Sequence, residues 1–257
     1  MRLQASKTHV TVAKSNFMEK NNAIIDKLFA AGAHFGYSPS RRHPSVSSYI
    51  FGSKGNTEIF DLEKTSHALE AALQFVASMA EARKTVLFVG GKAEARGIVK
   101  RVAERLNQPY VAGRWIGGTL TNFSEIRKRL ERLANLTSMR EKGELQKFTK
   151  RERLLIDREI TDLENTFGGL KGITKIPDAL IIVDPRHEEG AVDETLLMKV
   201  PTVAILNSDC DRTKISYPIP ANDASVHTIS VLLDEIANAY SENVGPERTP
   251  EAEVSRA

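Results

Sequence analysis

The chain has 257 residues, with 36 Lys+Arg against 33 Asp+Glu for a formal net charge of +3, and 41% of it is hydrophobic. That apolar content, beside 27% charged residues, describes a folded globular chain and excludes disordered and fibrous classes. The longest unbroken apolar run is Ala179–Val183, whereas a bilayer span takes roughly 20 residues, so no transmembrane helix is expected. A lone Cys210 allows neither an internal disulfide nor a multi-thiolate metal site, and fits a reducing compartment.

Residues 1–15 hold bases, no acid and no apolar stripe, and read as a flexible basic extension. A mitochondrial transit peptide shares that character, so an organellar destination stays open. Asn16 is placed to cap a helix reaching about Ala31, with Phe17, Ile24, Ile25, Leu28 and Phe29 as its stripe. Gly32 ends it. In the segment AHFGYSPSRRHPS that follows, Gly36, Pro39 and Pro44 forbid a regular element, so it is a loop that something outside itself must hold. SYIF and EIFDL around GSKGN predict a β-hairpin. A helix over about Thr65–Ala82 leads to the apolar strand TVLFVGG, then a basic amphipathic helix over Ala93–Leu106 and a short strand at PYVA. DALIIVD, a helix over Glu188–Met198 and TVAILN repeat the rhythm, and Asn222 or Asp223 caps a last helix from Ala224 to Tyr240. Strands apolar on both faces and separated by helices predict an α/β fold: a doubly wound, flavodoxin-like parallel sheet.

One stretch breaks the rhythm. Residues 121–167 hold 11 Lys+Arg and 9 Asp+Glu with no proline. Phe123, Ile126, Leu130 and Leu133 follow 3,4,3 spacing, and Ile156, Ile160, Leu163 and Phe167 follow 4,3,4. Each is a narrow seam of the kind two helices bury against one another. Gly143 lies between them, and Thr149 with Glu152 forms a capping box for the second helix. The expected organisation is an α/β domain from 16–120 and 168–240, an inserted antiparallel coiled-coil helical hairpin at 121–167, and a flexible acidic tail at 241–257.

Enzyme signatures are scarce: the sequence has no GxSxG, HExxH, Walker or CxxC motif. Gly90–Gly91–Lys92 sits between a strand and a helix, where a phosphate can bind, but lacks the GxGxxG spacing and reads better as a tight turn. Asp184, His187, Asp209, Cys210 and Asp211 follow two strands and would gather at the carboxyl edge of a parallel sheet. They could ligate Mg²⁺ or a softer ion, although Arg186 and Arg212 are interleaved to pair with them. The third candidate is basic and distributed. Residues 1–167 carry 28 Lys+Arg and 18 Asp+Glu, or +10, while 168–257 carry 8 and 15, or −7. The excess falls at Arg41–Arg42–His43, at Lys54 and along Arg83, Lys84, Lys92, Arg96, Lys100, Arg101 and Arg105, a spread that suits a phosphate backbone. Gly113–Asn122 adds Arg114 beside the only tryptophan, Trp115, which can stack on a base or ribose, seat the helical insertion on the sheet, or do both.

At these residues the chain resembles the bacterial small-subunit ribosomal protein two family, the universal S-two family. The matching motifs, in family order, are GAHFG (Gly32–Gly36), IFG (Ile50–Gly52), IFDLEKT (Ile59–Thr65), LFVGGK (Leu87–Lys92) and GRWIGGTLTNF (Gly113–Phe123). They continue with LENTFGGL (Leu163–Leu170), PDALIIVD (Pro177–Asp184) and YPIPANDA (Tyr217–Ala224), covering about residues 20–240. Tyr37 stands where the family often has histidine, Gly91 where it often has threonine, and Ala221 where it often has glycine. The resemblance implies a coiled-coil hairpin on a flavodoxin-like domain and a non-catalytic role, without cofactor, metal, membrane or small-molecule substrate. It implies a cytoplasmic ribosomal protein that binds small-subunit ribosomal RNA between head and body and helps dock the large mRNA-binding ribosomal protein. Carried over by position, the RNA-facing candidates are His34, Tyr37, Arg41, Arg42, Lys92, Arg96, Arg114, Trp115, Thr119 and Asn122.

Overall fold

The computed structural model describes residues 22–244, so the basic extension, the Asn16 cap and most of the acidic tail lie outside the described residues. A first helix, α1, is described over residues 22–30. The hairpin β1 (Ile50–Lys54) and β2 (Thr57–Phe60) follows, then α2 (Leu62–Glu81), β3 (Val86–Val89), α3 (Ala93–Arg105) and β4 (Tyr110–Val111). Next come α4 (Phe123–Glu141), α5 (Lys150–Phe167), β5 (Ala179–Val183), α6 (Glu189–Met198), β6 (Thr202–Leu206), β7 (Tyr217–Pro220) and α7 (Val226–Glu242).

The sheet has the order β4-β3-β5-β6-β7, and every neighbouring pair is parallel. Counted from its own first strand this is 2-1-3-4-5, an order whose ligand crevices open at the carboxyl ends of the strands. All residues of β3, β5 and β6 are buried, and alternation divides them between two layers. Phe88, Ile181, Val203 and Ile205 pack with Leu69 and Val76 of α2, Val99 and Val102 of α3, and Leu233 and Ile236 of α7. Leu87, Val89, Leu180, Ile182 and Leu206 pack with Val192 of α6, Trp115, Leu120 and the buried stripes of α4 and α5. Burying each such side chain is worth about 1.5–3 kcal/mol, which is why these strands read as unbroken apolar runs.

Three local expectations are corrected. Helix α2 starts at Leu62 instead of Thr65, because the Asp61 side chain accepts from the Glu63 and Lys64 amides and caps it. The cap of α7 is Ser225, whose hydroxyl accepts from the Thr228 amide; Asn222 caps only the turn at Ala224, and Asp223 turns inward. Strand β7 is an addition to the expected elements, since Pro218 and Pro220 argue against a strand. It survives as an edge strand. The inward-facing position after it, Ala221, donates to Leu206, so the prolines fall on the outer side, where Thr65 donates to the Pro220 carbonyl.

The loop after α1 is held from outside itself, by β2 and the 207–212 segment. Gly36 donates to Glu58, Glu58 to Tyr37 and Phe60 to His34, while His43 donates to the Ser208 carbonyl. Helices α4 and α5 bury Ile126, Leu133, Ile160, Leu163 and Phe167, and the remaining seam residues are half-buried. Arg132 joins them through two bonds of 3.0 and 3.1 Å to Glu159, and the Thr149–Glu152 capping box is formed. The segment after α5 returns beside the second half of α4, leaving a concavity of about 310 Å³ between Leu133, Thr137 and Glu141 on one side and Lys171 and Gly172 on the other.

Two glycines should respond oppositely to alanine. At Gly169 a Cβ would strike the Tyr110 backbone oxygen, whereas at Gly97, in the middle of α3, it would meet open space. Urea unfolding is expected to show Gly97→Ala raising stability by about 0.5–1 kcal/mol. Gly169→Ala should lower it by roughly 2 kcal/mol, because backbone cannot yield as a side chain can.

Candidate nucleic-acid interface

The loops that follow the five parallel strands lie at the carboxyl edge of the sheet, and the 34–43 loop joins them there. Their centre is Lys92, whose ammonium lies 3.1 Å from Asp184, 3.3 Å from Asp223 and 3.3 Å from the Tyr37 hydroxyl oxygen. Burial opposes the charge on Lys92, but Asp223 and Asp184 outweigh it and hold the ammonium above the ordinary lysine range. The fully buried Asp223 carboxyl is pushed up to about 6 by burial and by Asp184, while Lys92 and Asn207 oppose the rise. Asp184 adopts a left-handed backbone, φ 61°, and also caps the amide of His187 at 3.1 Å. Asp184, Cys210 and Asp223 place ligand atoms within 4.8 Å of one another, the only such metal-like group among the described residues. The lysine already supplies the cation that two buried carboxylates require. Burial, with the neighbouring Asp184, Asp209 and Asp223, raises the Cys210 thiol far above its ordinary value and disfavours its thiolate.

The neighbouring turn is closed to phosphate by an internal anion. The buried Glu188 carboxylate accepts from the Gly91 amide at 2.8 Å, at the N-terminus of α3 where an external phosphate would sit. Any side chain at Gly91 would meet Glu188 and the Gly113 carbonyl, so the 90–92 and 113–122 loops lie in direct contact.

The second loop is organised by Glu194, buried on α6. Its Oε1 accepts from Trp115 Nε1 at 3.0 Å and the Gly118 amide at 2.8 Å. Its Oε2 accepts from the Leu120 and Thr121 amides at 2.8 and 3.0 Å and from the Thr121 hydroxyl at 3.2 Å. Burial raises this carboxyl, but the bonds from Thr121, Trp115, Leu120 and Gly118 overcome it and hold the group below the usual range.

A profile for ribosomal protein S2 matches residues 28–243. The small ribosomal subunit protein uS2 of Geotalea uraniireducens is 39% identical over 222 residues, 86% of this chain and 87% of the relative. Those of Petrotoga mobilis and Roseiflexus castenholzii are 41% and 42% identical, covering 85% and 89% of this chain and 76% and 87% of their own lengths. The chain belongs to the ribosomal protein S2 family. Members are structural proteins of the small ribosomal subunit that act in translation, and they are not enzymes.

For a ribosomal protein S2, the ten candidate residues divide by environment. Arg41 is exposed and lies 5.1 Å above the Tyr37 ring. Arg96 and Arg114 are exposed, Arg96 having Nε on the Gly91 carbonyl at 2.5 Å. Exposed Arg42 is pinned 3.2 Å from buried Glu58. Asn122 is exposed at the start of α4. Lys92 and Tyr37 form the inner lattice beneath these groups. Trp115 is only 8% exposed, with its indole N–H used by Glu194, and Thr119 is buried with its hydroxyl on the Ile116 carbonyl. Both therefore build the loop, and for Trp115 the burial and the Glu194 bond support the seating role. His34 lies apart, its ring stacked 4.6 Å from Phe29 and tilted at 4.0 Å from Phe35, and burial lowers its pKa.

Two further expectations are corrected. The stripe on α3 is not free: Arg101 and Arg105 reach Asp234 of α7 at 3.0 and 3.6 Å. Arg186 does pair with Asp209, at 2.6 Å, but Arg212 turns instead to the Ser45 carbonyl. Glu188 and Glu194 are absent from the sequence-derived candidates. The available signal for Glu194 is an acid three residues after Ala191, on the buried face of α6.

Because Glu194 is held below its unfolded pKa, its ionised form stabilises the fold above the ordinary carboxylate range, and that contribution is lost as pH falls through the depressed value. Glu194→Gln is expected to lower the unfolding midpoint at pH 7, with the gap to the parent narrowing in acid. Glu194→Ala, which strands the donors, should cost roughly 3 kcal/mol at neutral pH by urea unfolding.

Proposed function

We propose that this chain serves translation as a structural constituent of the small ribosomal subunit, binding ribosomal RNA between head and body and helping dock the large mRNA-binding ribosomal protein. Its location on this reading is the ribosome, in the cytoplasm of a bacterial cell. The observation that carries the RNA-binding part is a continuous train of contacts. Arg41 covers Tyr37, Tyr37 meets Lys92, and Gly91 meets the loop bearing Arg114. The exposed guanidinium groups of Arg41 and Arg114 thus ride on loops whose inner charges are already neutralised, so their own charges remain for phosphates, while Arg42 also answers the buried Glu58. Each phosphate neutralised releases counterions, which supplies affinity without a deep pocket.

On the same reading α4 and α5 are a coiled-coil hairpin on a flavodoxin-like domain. Their buried stripes and the Arg132–Glu159 pair support it. With 11 Lys+Arg against 9 Asp+Glu over 121–167, this insertion suits bridging between protein and RNA more than wholesale phosphate neutralisation.

Filter binding to small-subunit ribosomal RNA across a salt series tests the assignment. Arg41→Ala/Arg42→Ala/Arg114→Ala should flatten the plot of log affinity against log salt by about 0.7–0.9 for each phosphate no longer neutralised. Unchanged affinity and slope would overturn it. Trp115→Ala should weaken binding more than Arg127→Ala on α4, because it unseats the loop that carries Arg114, whereas Arg127 pairs with Glu131 on an exposed helical face. Equal effects would count against this loop as part of the interface.

A further inference from the structure

Arg212 is the cation whose surroundings the RNA-facing set leaves unexplained. Its Nε donates to the Ser45 carbonyl at 2.5 Å and its backbone amide donates to the Ser45 hydroxyl at 3.1 Å. Its guanidinium carbon lies 5.5 Å from the centroid of the Tyr49 ring. These contacts fix the guanidinium plane and use one nitrogen. The two terminal nitrogens have no partner among the described residues.

The side chain borders a concavity of about 510 Å³ lined by Ser48, Tyr49, Lys64, His67, Ala68 and Arg212. The lining contains no carboxylate. Lys64 and His67 stand three residues apart on α2 and so share one helical face. Lys64 is 51% exposed at its side chain, donates to the Ser48 carbonyl at 2.7 Å and lies 3.3 Å from Asp61. Asp61 caps the helix through Oδ1, accepting from the Glu63 and Lys64 amides, and Oδ2 is the oxygen that faces Lys64, whose side chain remains half exposed. A held arginine fork, a lysine point charge and an aromatic plane around one open hollow suit a tetrahedral oxyanion. The hollow opens beside α2 and the 44–49 segment.

We propose that this concavity is a second anchoring point for the RNA backbone, in which Arg212 and Lys64 bind one phosphodiester and Tyr49 holds the guanidinium plane. This rests on the RNA-binding reading above and extends it to residues outside the first interface. The same chemistry would take a free phosphate, so the experiment includes both sources.

The full chain is titrated with small-subunit ribosomal RNA over a salt series as the parent, as Lys64→Ala/His67→Ala and as Arg212→Lys, with thermal unfolding of each as a check of folding. The double variant changes two exposed side chains and is expected to fold normally. It should bind roughly five- to tenfold more weakly at low salt, with the salt slope reduced by about 1. Arg212→Lys, which keeps the charge and loses the fork, should weaken binding by a smaller factor. If the double variant binds like the parent while Arg41→Ala/Arg42→Ala/Arg114→Ala binds weakly, the second anchor is overturned and the RNA-binding reading stands. If neither set of substitutions changes binding, both fall. Saturable binding of inorganic phosphate that depends on Lys64 and Arg212, with RNA affinity unchanged in the variants, would also overturn the proposal and mark a free-anion site instead.

Discussion

A carboxylate inside an apolar layer is tolerable only when donors surround it, and Glu194 shows what that requirement can build. Its two oxygens gather one indole N–H, three backbone amides and one hydroxyl from residues 115–121. The loop cannot straighten or shift without stranding a buried charge, a far larger penalty than losing one neutral hydrogen bond. Everything beyond the loop inherits this constraint. Trp115 is sealed against the sheet layer, Thr119 closes the turn, and α4 departs from a fixed point with Asn122 at its start. Arg114, at the outer side of the same loop, is thereby presented on a rigid support.

Lys92 performs the matching task on the other side of the edge. Two aspartates from different strand ends, Asp184 and Asp223, would repel one another if left alone. The lysine joins them and touches Tyr37, fastening the 34–43 loop to the sheet. Glu188 does the same for the Gly91 turn by filling the helix N-terminus from within. The arrangement that in an α/β enzyme would receive an external anion is here satisfied by the protein itself. That accords with a family of structural proteins.

The division between legible and illegible features follows from the range of the forces involved. Strands β3, β5 and β6 are plain in the sequence because burial on both faces demands unbroken apolar runs. The Thr149–Glu152 capping box is plain because its partners lie three residues apart. Strand β7 is hidden because proline is tolerated only where one side of a strand is unpaired, and being at the edge is a property of the whole sheet. The candidate site is half visible. The basic loops stand out by composition, yet nothing local separates Arg41, which is exposed over an aromatic ring, from Arg101, which is spent on Asp234.

By itself, then, the sequence determined the alternation of strands and helices, the excess of charge at particular loops and the motifs that mark the family, since periodicity, capping and turn chemistry act over a few residues. Only the tertiary structure decided which charges are used up. Trp115 and Glu194 are 79 residues apart, Lys92 and Asp184 92, and Arg101 and Asp234 133. Pairs at such separations arise from the winding of the sheet. They divide the basic residues into those that hold the fold and those left exposed to solvent, because a charge buried without a partner is too costly for the fold to keep.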